Sequence, residues 1–372
     1  MNVQGRVRQA TEADVPAILD LLTHFERPRE FLRPRYEEDP TYRPRQSFVW
    51  EEDGRMLAHV RVYEQTLRLP ATTVTVAGIG NVVTHREHRR RGYNRRVLDA
   101  ALADAAHRGF AYSLLWTNSP FVYERHGYGA APEQVVTGVA AAPDGSLPAN
   151  ARPVVVRPFE ITDLPAVARL YEQVHGQRPG TVVRDQPYWR ANLAFRREEP
   201  GDFLLALDGD ALVGYVRTRR DGTALEVTEL TSASTAAARH LLTVAAAPVG
   251  GRVTGRLPES AIGLLDAAPH VEESWRLMGR PLRIDNLAAA LRDSRPDTHP
   301  DLSVHPAGGR DVLLRTPTTA PTAPIGPGLL TALLLWGAAD RLEPHLATRP
   351  DAPLLRSLFP RQDGVLWQAD SF

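Results

Sequence analysis

The sequence predicts a mixed α/β fold built twice and followed by a smaller third unit, and three observations predict this division. Segments of helical and of strand periodicity alternate through residues 11–116. The same opening recurs 149 residues later, where Arg157, Asp163, Leu164, Pro165, Ala166, Val167 and Leu170 match Arg8, Asp14, Val15, Pro16, Ala17, Ile18 and Leu21. After Ile284 the pattern changes to two helical segments separated by a Pro/Thr-rich stretch. Similarity that preserves order over such a distance points to an internal duplication, with domains expected at 1–145, 146–285 and 286–372.

The first helix is expected over Thr11–Phe25. Thr11 and Asp14 have capping-box spacing, and Val15, Ile18, Leu19, Leu22 and Phe25 recur on one face. Phe48–Trp50 and Met56–Val62 then read as strands turned at Asp53-Gly54, a strong hairpin signal. Thr72–Val83 is β-branched and strand-like, Val97–Arg108 reads as a helix, and Leu114–Trp116 as a short strand. The hairpin returns as Phe203–Leu207, Asp208-Gly209 and Leu212–Val216, and Ala140–Pro153 reads as the linker between copies. Helices are expected at Asp285–Arg292 and Leu329–Leu342, with a loop at Thr316–Pro327. The apolar residues near Phe359, Leu366 and Trp367 predict that the end of the chain is packed rather than frayed.

Composition excludes several chemistries. All 44 basic side chains are arginine, and there is no cysteine. Without lysine there is no Schiff-base catalysis and no P-loop lysine; without cysteine there is no thiol nucleophile, disulfide, thiolate zinc site or iron–sulfur cluster. The 44 acidic residues balance the arginines, which argues against nucleic acid or a membrane surface as a partner held by bulk charge. The polar Met1–Asp14 stretch has no apolar signal region, and the longest apolar run, Gly328–Ala339, falls short of the roughly 20 residues that span a bilayer. A cytoplasmic location is expected.

The most informative segment runs from Val82 to Leu98, where a β-branched strand enters the turn Arg89-Arg90-Arg91-Gly92 and then a helix. Unpaired backbone N–H groups at a helix N-terminus, flanked by arginines, suit a diphosphate. A solvated basic face and a nucleic-acid patch are the competing readings. His85 and His88 stand three residues apart with no expected carboxylate partner, so no metal site is expected.

Strand, R-x-x-G turn and helix, then the strand at Leu114–Trp116 and an expected aromatic hairpin at Phe121–Gly129, resemble the GCN5-related N-acetyltransferases (GNATs). Arg89 and Gly92 meet the family's R-x-x-G-x-G/A pattern. Asn94 stands where Gly or Ala is usual, although asparagine tolerates unusual backbone conformations. Over nearly the whole chain, Arg89–Gly92, the run Tyr123–Gly129 and the Leu358-Phe359-Pro360 ending resemble the Eis-like (enhanced intracellular survival) acetyltransferases. That resemblance implies tandem GNAT folds, each a mixed, mostly antiparallel sheet with helices on both faces, followed by a sterol-carrier-like α+β C-terminal domain. It implies acetyl-CoA as co-substrate, bound by Val82, Val83, Thr84, Arg89, Arg90, Arg91, Gly92, Tyr93, Asn94, Arg95 and Ser119, and a homohexamer. The second copy has no R-x-x-G turn in the Ser/Thr/Ala-rich stretch Glu229–Leu242, so one coenzyme site per chain is expected.

The resemblance also implies that Tyr123 is the general acid and that the main-chain carboxylate of Phe372 is the base. Each has a plainer reading, Tyr123 as a packing aromatic and Phe372 as a hydrophobic anchor. Acceptors implied are primary amines, either aminoglycoside-like polyamines or lysine side chains. Phe25, Glu26, Glu37 and Asp370 are the candidate acceptor contacts. The carboxylates Glu26, Glu37, Glu38 and Asp39 are equally placed to pair with Arg27, Arg29, Arg33 and Arg35. A protein that binds lipid or another small molecule, with vestigial acetyltransferase domains, is the alternative function.

Overall fold

The structure, a computed structural model, describes residues 5–25, 28–141, 154–295, 299 and 301–371. The first unit opens with β1 (Arg6–Gln9) and α1 (Val15–Leu22). The expected helix is divided because 3-10 turns, Glu12–Asp14 and Thr23–Phe25, flank α1. Asp14 accepts the Thr11 backbone N–H at 2.7 Å, completing the expected capping box. Ile18, Leu19 and Leu22 are fully buried, each contributing roughly 1.5–3 kcal/mol relative to exposure. After the short α2 (Arg29–Leu32) come β2 (Ser47–Glu52) and β3 (Arg55–Leu69). Their turn has Asp53 at φ 51° and Gly54 at φ 71°, the left-handed pair that an Asp-Gly hairpin requires. Then follow β4 (Thr72–Thr84), α3 (Tyr93–His107), β5 (Tyr112–Trp116), α4 (Pro120–Glu124), β6 (Gly129–Ala130) and β7 (Glu133–Ala140).

The second unit repeats this order with β8 (Val155–Pro158), α5 (Leu164–His175), α6 (Gln186–Arg196), β9 (Phe203–Asp208), β10 (Ala211–Asp221), β11 (Ala224–Ser232), α7 (Thr235–Ala246) and β12 (Arg252–Gly255). It ends in α8 (Glu259–Ile262), β13 (Leu265–Ser274) and β14 (Leu277–Pro281). The duplication survives in detail: Arg8 holds Asp14 through two hydrogen bonds, and Arg157 holds Asp163 in the same way. In each pair the guanidinium keeps the carboxyl below its ordinary range. Residues 142–153, most of the expected linker, lie outside the described residues.

Each unit lends a strand to the other's sheet. The first sheet has the order β1-β2-β3-β4-β5-β14-β6, and the second β13-β7-β12-β11-β10-β9-β8. Sheet membership therefore crosses the expected division at 145/146. The exchange binds the two units through backbone ladders: β14 pairs with β5 from Leu277–Trp116 to Pro281–Tyr112, and β7 is flanked by β12 and β13.

The remainder is a smaller unit of α9 (Ile284–Asp293), the hairpin β15 (Ser303–Pro306) and β16 (Val312–Arg315), α10 (Pro327–Trp336), α11 (Glu343–Leu346) and α12 (Ala352–Leu358). The helix expected over Leu329–Leu342 stops at Trp336 because Gly337 turns to φ 63°. Leu287, Leu330 and Leu333 share one core with Leu67, Val76 and Leu114 of the first sheet. Gly129 and Gly328 let β6 and α10 approach closely, since a Cβ on Gly328 would lie 2.1 Å from the Ala130 carbonyl oxygen. Among the described residues no helix is long and apolar enough to cross a membrane.

Candidate active site

The site begins where two parallel strands part. The β4–β5 ladder stops at Gly78 and Leu114, although β4 runs on to Thr84 and β5 to Trp116. Near its end β4 carries a bulge, with His59 facing Val83 and Arg61 facing Gly80, so that Asn81 and Val82 together oppose Val60. Asn81 takes φ 51°, a conformation asparagine accepts more readily than most residues. Its carbonyl is 2.9 Å from His59 Nδ1, and its side-chain amide donates to the hydroxyls of Tyr36 and Tyr63 at 2.7 and 3.0 Å. Burial lowers the His59 pKa to about 4, so the ring is neutral near pH 7, with Nδ1 donating to Asn81 and Nε2 facing Ser47 Oγ at 3.0 Å. A bulge leaves one residue out of the ladder. A residue left out in this way can turn its N–H towards a ligand.

The gap leads to the arginine turn. Arg90 and Gly92 take φ 66° and 79°, and Gly92 caps α3 without a side-chain hydrogen bond. The first N–H groups of this 15-residue helix are thus left for an anion. Asn94 lies inside the helix in the ordinary conformation, so its departure from the family pattern needs no unusual backbone. Its Oδ1 is buried without a hydrogen-bond partner. Tyr93 anchors the turn, stacking on Trp50 at 4.9 Å and donating to Glu52 at 2.7 Å. In the second unit the corresponding helix, α7, starts soon after β11, and the Ser234 hydroxyl accepts the Ala237 N–H at 3.1 Å. The donors that α3 offers to an anion are in part satisfied internally in α7.

Between them lies a cleft of about 810 Å³ lined by Val82, Val83, Thr84, Arg89, Arg90, Gly92, Tyr93, Asn94, Arg95, Ser119 and Tyr123. Of the expected coenzyme residues only Arg91 is absent from the lining. Phe121–Gly129 is not the expected hairpin: Pro120 starts the short helix α4, and Gly127, at φ 79°, turns the chain towards β6. Tyr123 sits on α4, whose end is tied down at His126. That ring is 2.8 Å from Asp99 of α3, and Arg280 of the exchanged strand β14 donates to the His126 carbonyl. Burial pushes the Tyr123 phenol up to about 12, leaving it protonated at any working pH.

His85, Glu87 and His88 place donor atoms within 4.8 Å of one another. The expectation that no carboxylate joins the two histidines is therefore corrected, because the 3-10 turn Arg86–His88 folds Glu87 back towards them. Nearby Arg86 and Arg89, which also act on His24, oppose a dication there.

A family model described as an acetyltransferase (GNAT) domain matches residues 6–131. Residues 6–131, about a third of the chain, are thus similar to a GNAT acetyltransferase domain. An uncharacterized N-acetyltransferase of Streptomyces avermitilis is 28% identical over 146 residues, which are 38% of this chain and 35% of that protein. The match thus spans about a third of that curated relative. The crystal structure of a probable N-acyltransferase from Enterococcus faecalis superposes with TM-score 0.71 at 17% identity, over 96% of this chain and 97% of the other. Eis1 from Mycobacterium abscessus does so with TM-score 0.68 at 18% identity, over 99% of this chain and 100% of the other. At these identities the likeness establishes a shared fold, the tandem GNAT architecture.

The chain near its last described residue is buried as expected, with Trp367, Ala369 and Asp370 each 1% exposed. Asn192 and Arg196 of α6 donate to the Ala369 carbonyl, and Gln65 of β3 donates to that of Asp370 at 3.0 Å. Asp370 is held by Arg184 and by the Tyr188 hydroxyl at 2.9 Å. Glu26 and Phe372 lie outside the described residues, and Phe25 ends the turn after α1. Glu37 is at the surface 3.7 Å from Arg33, with Glu38 on the same arginine. Asp39 is buried against Arg61 at 2.5 Å. Pairing with arginine is thus where these three carboxylates go, rather than an acidic rim. The sequence reading missed His59, Asn81, Arg184 and Arg280. Only Asn81, an asparagine interrupting a β-branched strand, carried a local signal.

Proposed function

We propose that the protein is an acetyl-CoA-dependent N-acetyltransferase of the Eis-like type, with one coenzyme site per chain. The observation that carries this reading is the single cleft joining an uncapped, arginine-flanked helix N-terminus, a bulged strand end and Tyr123. In the proposed reaction the pyrophosphate rests on the N–H groups of α3, and the pantetheine arm runs along Val82–Thr84. Backbone donors there polarise the thioester carbonyl. The neutral amine attacks the carbonyl carbon; a C–N bond forms, the C–S bond breaks, and Tyr123 delivers its proton to the departing sulfur.

With the phenol at about 12 and a free thiol near 8.5, that transfer is uphill by about 3.5 pH units, or about 5 kcal/mol. Desolvation of the thiolate in the same cleft raises its pKa and narrows the gap. The proton lost by the amine goes to the proposed base, the Phe372 carboxylate. By resemblance, the acceptors are amines of aminoglycoside-like compounds or lysine side chains, and the assembly is a homohexamer. The divisions proposed are a catalytic unit at 1–145, a degenerate unit at 146–285 and a sterol-carrier-like unit from 286. The alternative, a protein that binds lipid or another small molecule, draws no support from the apolar cavity between the first sheet and α10, which measures about 20 Å³.

The test is thiol release from acetyl-CoA on adding primary amines. The chain lacks cysteine, so a thiol reagent meets no protein background, and it lacks lysine, so self-acetylation is confined to the N-terminal amine. Release above the amine-free rate is expected. No release with any amine, together with no acetyl-CoA binding, rejects the reading.

A further inference from the structure

The helix that carries Tyr123 is only five residues long, far below the roughly 12–15 residues at which an isolated helix becomes even marginal. Its placement has to come from contacts at its ends. Just past α4, the N–H groups of His126 and Tyr128 both donate to the Tyr123 carbonyl, at 2.9 and 3.3 Å. The Tyr128 ring meets that of Tyr123 edge-on at 6.2 Å. The backbone of Tyr123 is therefore placed by the segment that begins at His126.

His126 is tied down from two directions. A carboxylate oxygen only accepts, so His126 Nδ1, 2.8 Å from Asp99 Oδ1, carries the proton and donates it. The imidazole end of this bond is 3% exposed and the carboxylate end 55%. The second tie comes from the exchanged strand, where Arg280 of β14 donates to the His126 carbonyl. Arg280 is itself buried, and β14 is paired with both β5 and β6. The second unit thus supplies one of the two anchors of the acid's segment.

Asp99 faces the other end of the cleft as well. It lies on α3, whose uncapped N-terminus is the proposed pyrophosphate site, and its Oδ2 is 3.7 Å from Nε of Arg95. Arg95, Tyr123 and His126 all line the coenzyme cleft. One carboxylate therefore touches both an arginine of the phosphate end and the residue next to the acid's helix. The arginine contact is exposed and adds little rigidity; the shorter histidine contact is the one that joins the two walls. A pantetheine arm has a fixed reach, so an acid meant for its sulfur must stand at a fixed distance from the pyrophosphate, and a misplacement of about 1 Å costs about 10²-fold in rate.

We propose, resting on the reading of Tyr123 as the general acid, that His126 is a positioning residue for proton delivery. Through Asp99 it fixes Tyr123 relative to the helix that binds the pyrophosphate, and its effect on turnover passes through the Tyr123 phenol. The test is thiol release from acetyl-CoA with the fastest acceptor among an alkylamine, a lysyl peptide and an aminoglycoside. His126→Leu should lower kcat at least about tenfold while the acetyl-CoA KM stays in place. His126→Asn, whose amide N–H stands where Nδ1–H does, should restore most of that rate. In a Tyr123→Phe background His126→Leu should cost nothing further, because no phenol is left to misplace. If the leucine variant fails to fold, Asp99→Ala, at a half-exposed position, carries the same comparison. A slowed Tyr123→Phe chain beside a His126→Leu chain of wild-type rate overturns this inference alone, as does an equal loss from His126→Leu with and without the phenol. A Tyr123→Phe chain that turns over normally overturns the acid reading itself.

Discussion

Arg184 and Asp370 are joined by two hydrogen bonds, Nε to Oδ1 at 2.9 Å and Nη2 to Oδ2 at 2.8 Å, with neither side chain exposed. The same guanidinium holds Glu229 of β11 at 2.8 and 3.0 Å. Burial alone would raise the Glu229 pKa, but Arg184 and Arg217 hold it below the usual carboxylate range. A cation of the second unit thus fixes a segment that also lies on β3 of the first.

Arg184→Met should destabilise the chain by about 3–5 kcal/mol, because it leaves two buried carboxylates short of a counter-charge. Asp370→Asn keeps the shape of the contact and should cost less. The pair should couple in a double-mutant cycle read by urea unfolding. Additive effects of the two substitutions would mean that the tail is held by its backbone contacts instead.

At Gly92 the limit is conformation, not space. A Cβ there would meet nothing within 4 Å, but φ is 79°, a value that β-branched residues adopt only under strain of about 1–3 kcal/mol. Gly92→Val should reshape the turn and weaken acetyl-CoA binding at least about tenfold by calorimetry, with Gly92→Ala intermediate. Unchanged affinity in the Val variant would move the pyrophosphate away from this turn.

The Asp-Gly hairpin, the Arg-Gly turn and the duplication were legible in the sequence because each rests on neighbours in the chain. Strand exchange was not. β7 and β14 have ordinary strand patterns, and nothing local says which sheet they join. The arginine clamps were hidden for the same reason: Arg184 and Asp370 are 186 residues apart, and in a chain with 44 arginines no single one stands out. Asp39 looked like one of a row of surface carboxylates, and only the fold buries it against Arg61.

If Tyr123 protonates the leaving thiolate, Tyr123→Phe should lower kcat by about 10²–10⁴ and leave the acetyl-CoA KM in place. With the phenol at about 12, loss of its proton should produce no alkaline fall in rate below about pH 11. Appending residues to Phe372 should lower kcat with the unfolding profile unchanged, since Arg184, Asn192 and Arg196 still hold residues 368–370. An extended chain that turns over normally would remove the base from that carboxylate.

The fold should lose stability in acid before its carboxylates titrate. Burial lowers the pKa of His59 to about 4 and that of His175 to about 3, against about 6.5 unfolded. A histidine depressed in the folded state contributes fully above the unfolded value. Its contribution falls as pH drops towards the folded one, because only the unfolded chain takes up the proton there. Each histidine should cost about 1.4 kcal/mol per pH unit below about 6.5, or about 5 kcal/mol together at about pH 4.5. Urea unfolding between pH 7 and 4.5 measures this slope, and His175→Asn should reduce it by about half. At His59 the same proton reaches the active site: a charged ring can no longer accept at Nε2 from Ser47 while Nδ1 holds the Asn81 carbonyl. A flat stability profile down to about pH 4.5 would show that neither imidazole is held neutral by its burial.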